Sequence, residues 1–216
     1  MARTKPFDEH LTEYEQWFKD HHYVYLSELK AIKQFLPVSG KGVEIGVGSG
    51  LFAGELGIRE GIDPSPAMCE KASKRNIRVI RGVAEDLPYP DEVYDYALMV
   101  TAICFVDDIS VSFREVRRIL KKDGVFIVGF VDKDSPVGKI YLRNREQSIF
   151  YKEADFFSTE EVLQYLTQNG FQKFDICQTV FGTLDSVKNI QASRPGYGEG
   201  SFVVIKAIAC EKGHKK

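Results

Sequence analysis

The sequence predicts an α/β fold in which five parallel strands are followed by an antiparallel pair. Three observations point to it. Short, near-continuously apolar runs recur along residues 40–131, as strands covered on both faces require. Helix start signals fall between those runs. The last two apolar runs, residues 171–181 and 202–210, follow one another with no long helical segment between them. Strands joined without a crossover helix pair antiparallel.

Residues 8–36 carry aromatic and apolar side chains throughout and end at Pro37, which predicts a helical opening. The parallel strands are expected at residues 42–47, 58–63, 77–81, 93–100 and 124–131. Ser65 followed by Pro66 is a capping residue with proline in the first turn. Asp107 or Asp108 can start a second helix, with Ile109, Phe113, Val116 and Leu120 at helical spacing and Gly124 as its stop. Ser158 and Glu161 have capping-box spacing, with Phe157 and Val162 placed for a hydrophobic staple and Gly170 as the stop. The link "GVAEDLPYPDE", residues 82–92, has two prolines and is too short for a crossover helix, so it should run mostly extended. The expected organisation is one domain over residues 1–216: a helical cap (1–37), a cofactor-binding core (40–131), an insertion (132–157), and a closing helix with the antiparallel pair (158–211).

The composition is that of an ordinary globular chain, 44% hydrophobic and 28% charged. Lys and Arg total 29 against 31 Asp and Glu, so no basic surplus points to nucleic acid or an anionic membrane. The basic end "EKGHKK" reads as a solvated tail. The four cysteines, Cys69, Cys104, Cys177 and Cys210, have neither disulfide-framework nor zinc-ligand spacing, and His21-His22 face different ways on a helix. No metal site is expected, and the reading is of a reducing, cytoplasmic setting with no signal peptide and no membrane span.

The stretch "VEIGVGSGL", residues 43–51, places three glycines directly after the first strand. A phosphate loop would need Lys-Ser or Lys-Thr next, and Leu51-Phe52 stands there instead. A dinucleotide loop wants a small residue where Leu51 sits. The remaining reading is an S-adenosylmethionine loop of the form E/D-x-G-x-G-x-G, in which Glu44 helps receive the ammonium end. Glycines there allow positive φ and close approach to the backbone, and the next helix start offers N–H groups to a carboxylate. Asp63, at the tip of the second strand, is placed to accept both ribose hydroxyls. It does not by itself separate NAD from S-adenosylmethionine.

The segments "VEIGVGSGLFA", "GIDPSPAM", "GVAEDLPYPDEVYDYALMVTAICFVDD" and "REVRRILKKDGVFIVG" do separate them. With their spacing they resemble the class I S-adenosylmethionine-dependent methyltransferases, in particular the small-molecule branch similar to ubiquinone/menaquinone biosynthesis methyltransferases. "FFSTEEVLQYLTQNGF" extends the resemblance more loosely. The resemblance implies a Rossmann-like seven-stranded sheet of order 3-2-1-4-5-7-6, the seventh strand antiparallel, flanked by helices. It implies S-adenosylmethionine as cofactor, with Gly46, Val47, Gly48 and Gly50 along the methionine portion and Asp63 on the ribose. Pro64, Met68, Ala84 and Glu85 would border the adenine, and Thr101 would lie beneath the sulfonium. Relatives often carry an acidic residue just before that alanine; Val83 stands here, so the adenine contact passes to Glu85 or to backbone.

The implied activity is methyl transfer to a small-molecule acceptor with an N, O or S nucleophile, and no catalytic dyad is evident. Openings of the form Y-x-x-W-F in the family close over the cofactor, which makes Tyr14, Trp17 and Phe18 pocket candidates. Tyr197 and Glu199 in "RPGYGEG" could add a polar or acidic contact to an acceptor held among aromatic rings. Two other functions remain: an NAD(P)-dependent oxidoreductase, and a non-catalytic regulator that binds S-adenosylmethionine.

Overall fold

The computed structural model describes residues 3–210; the basic end "EKGHKK" lies outside them. The opening segment forms three helices, α1 (Lys5–Glu9), α2 (Leu11–Asp20) and α3 (His22–Lys33), in place of one continuous helix. Strand and helix then alternate through β1 (Gly42–Ile45), α4 (Leu51–Leu56), β2 (Glu60–Asp63), α5 (Pro66–Ser73) and β3 (Arg78–Arg81). After the extended link come β4 (Tyr94–Val100), α6 (Ile109–Ile119) and β5 (Leu120–Val131). The chain closes with α7 (Pro136–Arg143), α8 (Thr159–Gln168), β6 (Phe171–Thr179), β7 (Arg194–Pro195) and β8 (Phe202–Ala209).

The sheet order is β3-β2-β1-β4-β5-β8-β6-β7. Strands β1 to β5 are parallel, and β8 runs antiparallel between β5 and β6. This is the expected order with one addition: the sheet has eight strands, not seven. The extra strand, β7, pairs only Cys177 with Pro195 and Gln178 with Arg194. Two residues leave no alternation to read, and a proline is tolerated because the strand is at the sheet edge.

Caps fix the helix starts. Ser65 accepts from the Met68 N–H, Asp108 from the Val111 N–H, and Ser158 and Glu161 form a reciprocal capping box. Gly124 does not stop α6, as the sequence suggested. That helix ends at Ile119, because Leu120 already pairs with Tyr94 in the sheet, and Asp123 at φ 58° turns the strand over a register shift before Tyr96 pairs with Val125.

The sheet is covered on both faces. One face packs Val43, Ile45, Met99 and Phe126 against Phe113 of α6 and Val162 of α8. The other packs Leu98, Ile127 and Val204 against Ile32 of α3 and Phe52 of α4. The link from β3 to β4 is pinned by Arg118, which donates to the Leu87 and Tyr89 carbonyls at 2.8 and 2.7 Å and pairs with Glu115 and Asp91. That anchoring holds residues 83–85 at the strand ends. Among the described residues, no helix is long and apolar enough to cross a membrane.

Candidate functional site

The order reverses between β1 and β4, and a cavity of about 170 Å³ lies outside the carboxyl ends of the parallel strands at that point. Open α/β sheets bind ligands in such a crevice. One half of its wall comes from strand tips: Gly46 and Gly48 after β1, Asp63 and Pro64 after β2, and Thr101 after β4.

The glycines are needed for conformation and for room. Gly46 and Gly48 have φ of 70° and 53°. A Cβ on Gly46 would come within 2.5 Å of the Ala102 Cβ, and one on Gly48 within 3.1 Å of the Tyr14 hydroxyl. This turn directs the Gly48 N–H at Asp63, whose Oδ2 accepts it at 2.8 Å, while Oδ1 accepts from the Ser65 N–H at 2.9 Å. Burial outweighs those two donors, with Asp8 adding like charge, and pushes the Asp63 carboxyl up to about 6. The carboxylate keeps acceptor sites toward the cavity, which suits a pair of ribose hydroxyls.

Met68, Ala84 and Glu85 line the same half, as the sequence implied. Glu85 uses Oε1 to accept from the Asp107 and Asp108 N–H groups at 2.6 and 3.1 Å, so it also holds the entry to α6. Six non-glycine residues have positive φ among those described; the two β-branched ones, Thr101 (φ 49°) and Val180 (φ 61°), both lie on the cavity wall. Such residues rarely adopt that conformation, and strain of this kind gathers where a ligand surface must be shaped.

Three residues of the glycine motif lie behind this wall. Val47 packs over Gly61, and Gly50 caps α4. Glu44 is buried with Oε2 unpartnered, and burial drives its pKa well above the usual range against the Ala53 N–H. None of the three lines the cavity.

The other half is aromatic. Tyr14, Trp17 and Phe18 line it, together with Tyr141 and Tyr151 from the insertion, whose rings stack at 4.7 Å and 24°. The Tyr14 phenol, beside Gly48 of the strand-tip half, is raised by burial first and then by the charges of Asp63, Glu44, Glu15 and Glu28. Phe7 of α1 covers the mouth, edge-on to Phe105 at 4.9 Å and against Phe150 at 5.6 Å. Asp8 accepts from the Ser65 hydroxyl at 2.6 Å, and Arg3 pairs with Asp155 at 2.8 Å, tying α1 to both sides of the opening.

Tyr197 and Glu199 lie outside this enclosure. Tyr197 is 40% exposed, and Glu199 pairs with Arg194 at 2.9 Å on the surface beside β7. Hydrogen bonds from the Glu199 and Gly200 N–H groups to the Gln178 Oε1 hold that loop on the sheet edge. The acid on the aromatic half is Glu28 of α3, 4% exposed, with no hydrogen-bond or ion-pair partner among the described residues. Burial pushes its carboxyl up to about 8. The sequence held a signal for it: Glu28 falls on the buried stripe of α3 with Val24, Leu29 and Ile32, where a charge needs a reason.

Comparisons agree with this geometry. The profile of the methyltransferase domain family matches residues 43–128. A crystal structure of a SAM-dependent methyltransferase from Thermotoga maritima, described as a possible histamine N-methyltransferase, is 49% identical. It superimposes with a TM-score of 0.92 over 94% of this chain and 98% of that one. An uncharacterized protein of Methanocaldococcus jannaschii is 41% identical over 201 residues, 93% of this chain and 97% of that one. At a greater distance, a demethylmenaquinone methyltransferase of Staphylococcus haemolyticus is 25% identical over 140 residues, 54% of this chain and 59% of that one.

Proposed function

Because this chain belongs to the S-adenosylmethionine-dependent methyltransferases, we propose that it methylates a small molecule held in the aromatic half of the cavity. The observation that carries this reading is the joining of two unlike walls around one cavity: polar strand tips on one side, aromatic rings on the other. When bound, S-adenosylmethionine supplies a methyl group on positively charged sulfur, open to in-line displacement by a nitrogen, oxygen or sulfur lone pair.

The chain's own contribution is position and exclusion of water. Asp63, held by the Gly48 and Ser65 N–H groups, accepts the ribose hydroxyls and fixes the depth at which the cofactor sits. Pro64, Met68 and Ala84 form the apolar slot for the adenine. Thr101, its N–H tied to the Gly129 carbonyl at 2.7 Å, presents a rigid floor at the end of β4. Phe7 and Tyr14 close the opening. Holding two reactants in line can lower a barrier by roughly 7–11 kcal/mol, a large part of what a displacement without a nucleophilic residue needs.

Calorimetry with S-adenosylmethionine, S-adenosylhomocysteine and NADH, followed by methyl-label transfer to a panel of small amines, thiols and phenols, tests the reading. Binding of both adenosyl ligands and label in at least one panel compound are expected. Tight NADH binding with no adenosyl binding would restore the oxidoreductase. Adenosyl binding with no labelled product from any class would favour the regulator.

A further inference from the structure

We propose that the aromatic half of the cavity takes a small organic amine in its ammonium form, with the Glu28 carboxylate as its counter-ion and the stacked Tyr141 and Tyr151 rings as its wall. This deepens the methyltransferase reading and rests on it: the bound ammonium would first pass a proton to the Glu28 carboxylate, and the freed nitrogen lone pair would then take the methyl group as the carbon–sulfur bond breaks and S-adenosylhomocysteine leaves.

The geometry argues for a cation. Glu28 is 4% exposed and lines the cavity, yet no described donor reaches it. A buried carboxylate without a partner is costly, and Glu28, unlike the buried Glu44 behind the wall, lines the cavity, where an entering cation can pair with it. Its neighbours supply no positive charge. The groups that feel its field are the phenols of Tyr14, Tyr25, Tyr141 and Tyr151, all displaced upward chiefly by burial. Among the described residues four acids, Glu28, Asp63, Glu85 and Asp107, line the cavity against one base, Arg3, and Arg3 is already paired with Asp155. Glu28 is largely protonated at pH 7 until a ligand enters, and an excess of acids on the wall disfavours carboxylate and phosphate acceptors.

The body of the ligand follows from the rest of the wall. Trp17, stacked on His21, and Tyr141 and Tyr151, stacked on each other with Tyr151 also stacked on Phe105, give it aromatic surface, and Val137, Val180 and Leu184 give it aliphatic surface. Ring faces attract an ammonium group and its adjacent methylenes. An amine carried on a short aromatic or aliphatic skeleton satisfies both the carboxylate and the rings. With its carboxyl raised to about 8, Glu28 is largely protonated at pH 7 while alone, so an entering ammonium displaces a proton.

Calorimetry on the chain saturated with S-adenosylhomocysteine tests this. The probes are 2-phenylethylamine and n-hexylamine, each compared with its uncharged alcohol. The expected result is binding of at least one amine about tenfold or more tighter than its alcohol. Titrations at pH 7 in buffers of different ionisation enthalpy should also show proton release. Glu28→Gln should abolish both the preference and the proton release while leaving S-adenosylhomocysteine affinity unchanged, which also shows that the variant folds. Equal binding of amine and alcohol in every pair, or a preference that survives in Glu28→Gln, would overturn the amine assignment alone. Failure of the unaltered chain to bind S-adenosylhomocysteine would remove the methyltransferase reading, and the acceptor with it.

Discussion

Two buried carboxylates, Asp63 and Glu28, divide the electrostatics of the cavity, and each carries a separable prediction. Asp63 accepts from two backbone N–H groups and retains lone pairs for a ligand. Its replacement by alanine should weaken S-adenosylhomocysteine binding about 10- to 100-fold, the scale of one or two hydrogen bonds to a charged group. Since its carboxyl sits near 6, affinity for the same ligand should fall as the pH drops from 7.5 to 5 and the acceptor takes up a proton. A flat calorimetric profile across that range would remove Asp63 from the ribose contact. Glu28 acts on stability. Its folded value of about 8 lies above its ordinary 4.5, so the ligand-free folded chain holds a proton that the unfolded chain has lost. Stability therefore declines as pH rises from about 4.5 to about 8. Glu28→Gln removes this penalty: its unfolding free energy from urea titration should exceed that of the parent at pH 8, by up to a few kcal/mol, and nearly match it at pH 5. An equal gap at both pH values would contradict a buried, unpartnered acid.

At the scale of elements, α1 and α8 illustrate two uses of short polar contacts. The helix α1 is only five residues long and contributes no buried residue of its own, so Asp8, Phe7 and Arg3 hold it over the opening. Asp8→Ala should release it, seen as faster limited proteolysis within the first ten residues and faster loss of bound S-adenosylhomocysteine. Unchanged rates of both would mean that α1 does not cover the cofactor. In α8 the reciprocal Ser158–Glu161 box satisfies two end groups, and Ser158→Ala should lower stability by about 1 kcal/mol in urea unfolding. The same chemistry explains what could be read in advance. Ser65-Pro66, Asp108 and Ser158 announce helix starts locally, and each is found at its place. Ser135-Pro136 carries the same signature and starts α7, a helix within the segment that the sequence reads only as an insertion. At the end of α6, sheet pairing at Leu120 overrides the local glycine signal of Gly124.

Over the whole molecule, the parallel strands were legible as short apolar runs with a punctuated link between the third and fourth, whereas their order followed from the family resemblance of the glycine turn and its neighbouring segments. The cofactor half of the site was legible for a related reason. Gly46, Gly48 and Asp63 sit at the ends of adjacent strands, so the fold itself brings them together. The aromatic half was not. Glu28, Tyr141 and Tyr151 come from α3, α7 and the loop after it, segments far apart in sequence that meet only when the caps fold over the sheet. Tyr197 and Glu199 had suitable chemistry but belong to the loop beside the edge strand β7, which faces solvent. On this reading one cavity joins adenosyl-binding strand tips to an aromatic chamber that holds the buried Glu28. A crystal structure with S-adenosylhomocysteine bound is the test. Ribose hydroxyls are expected on Asp63, the adenine beside Met68 and Ala84, and a sulfur open toward Tyr141 and Glu28. A sulfur sealed behind protein, or an adenosyl group seated away from Asp63, would contradict it.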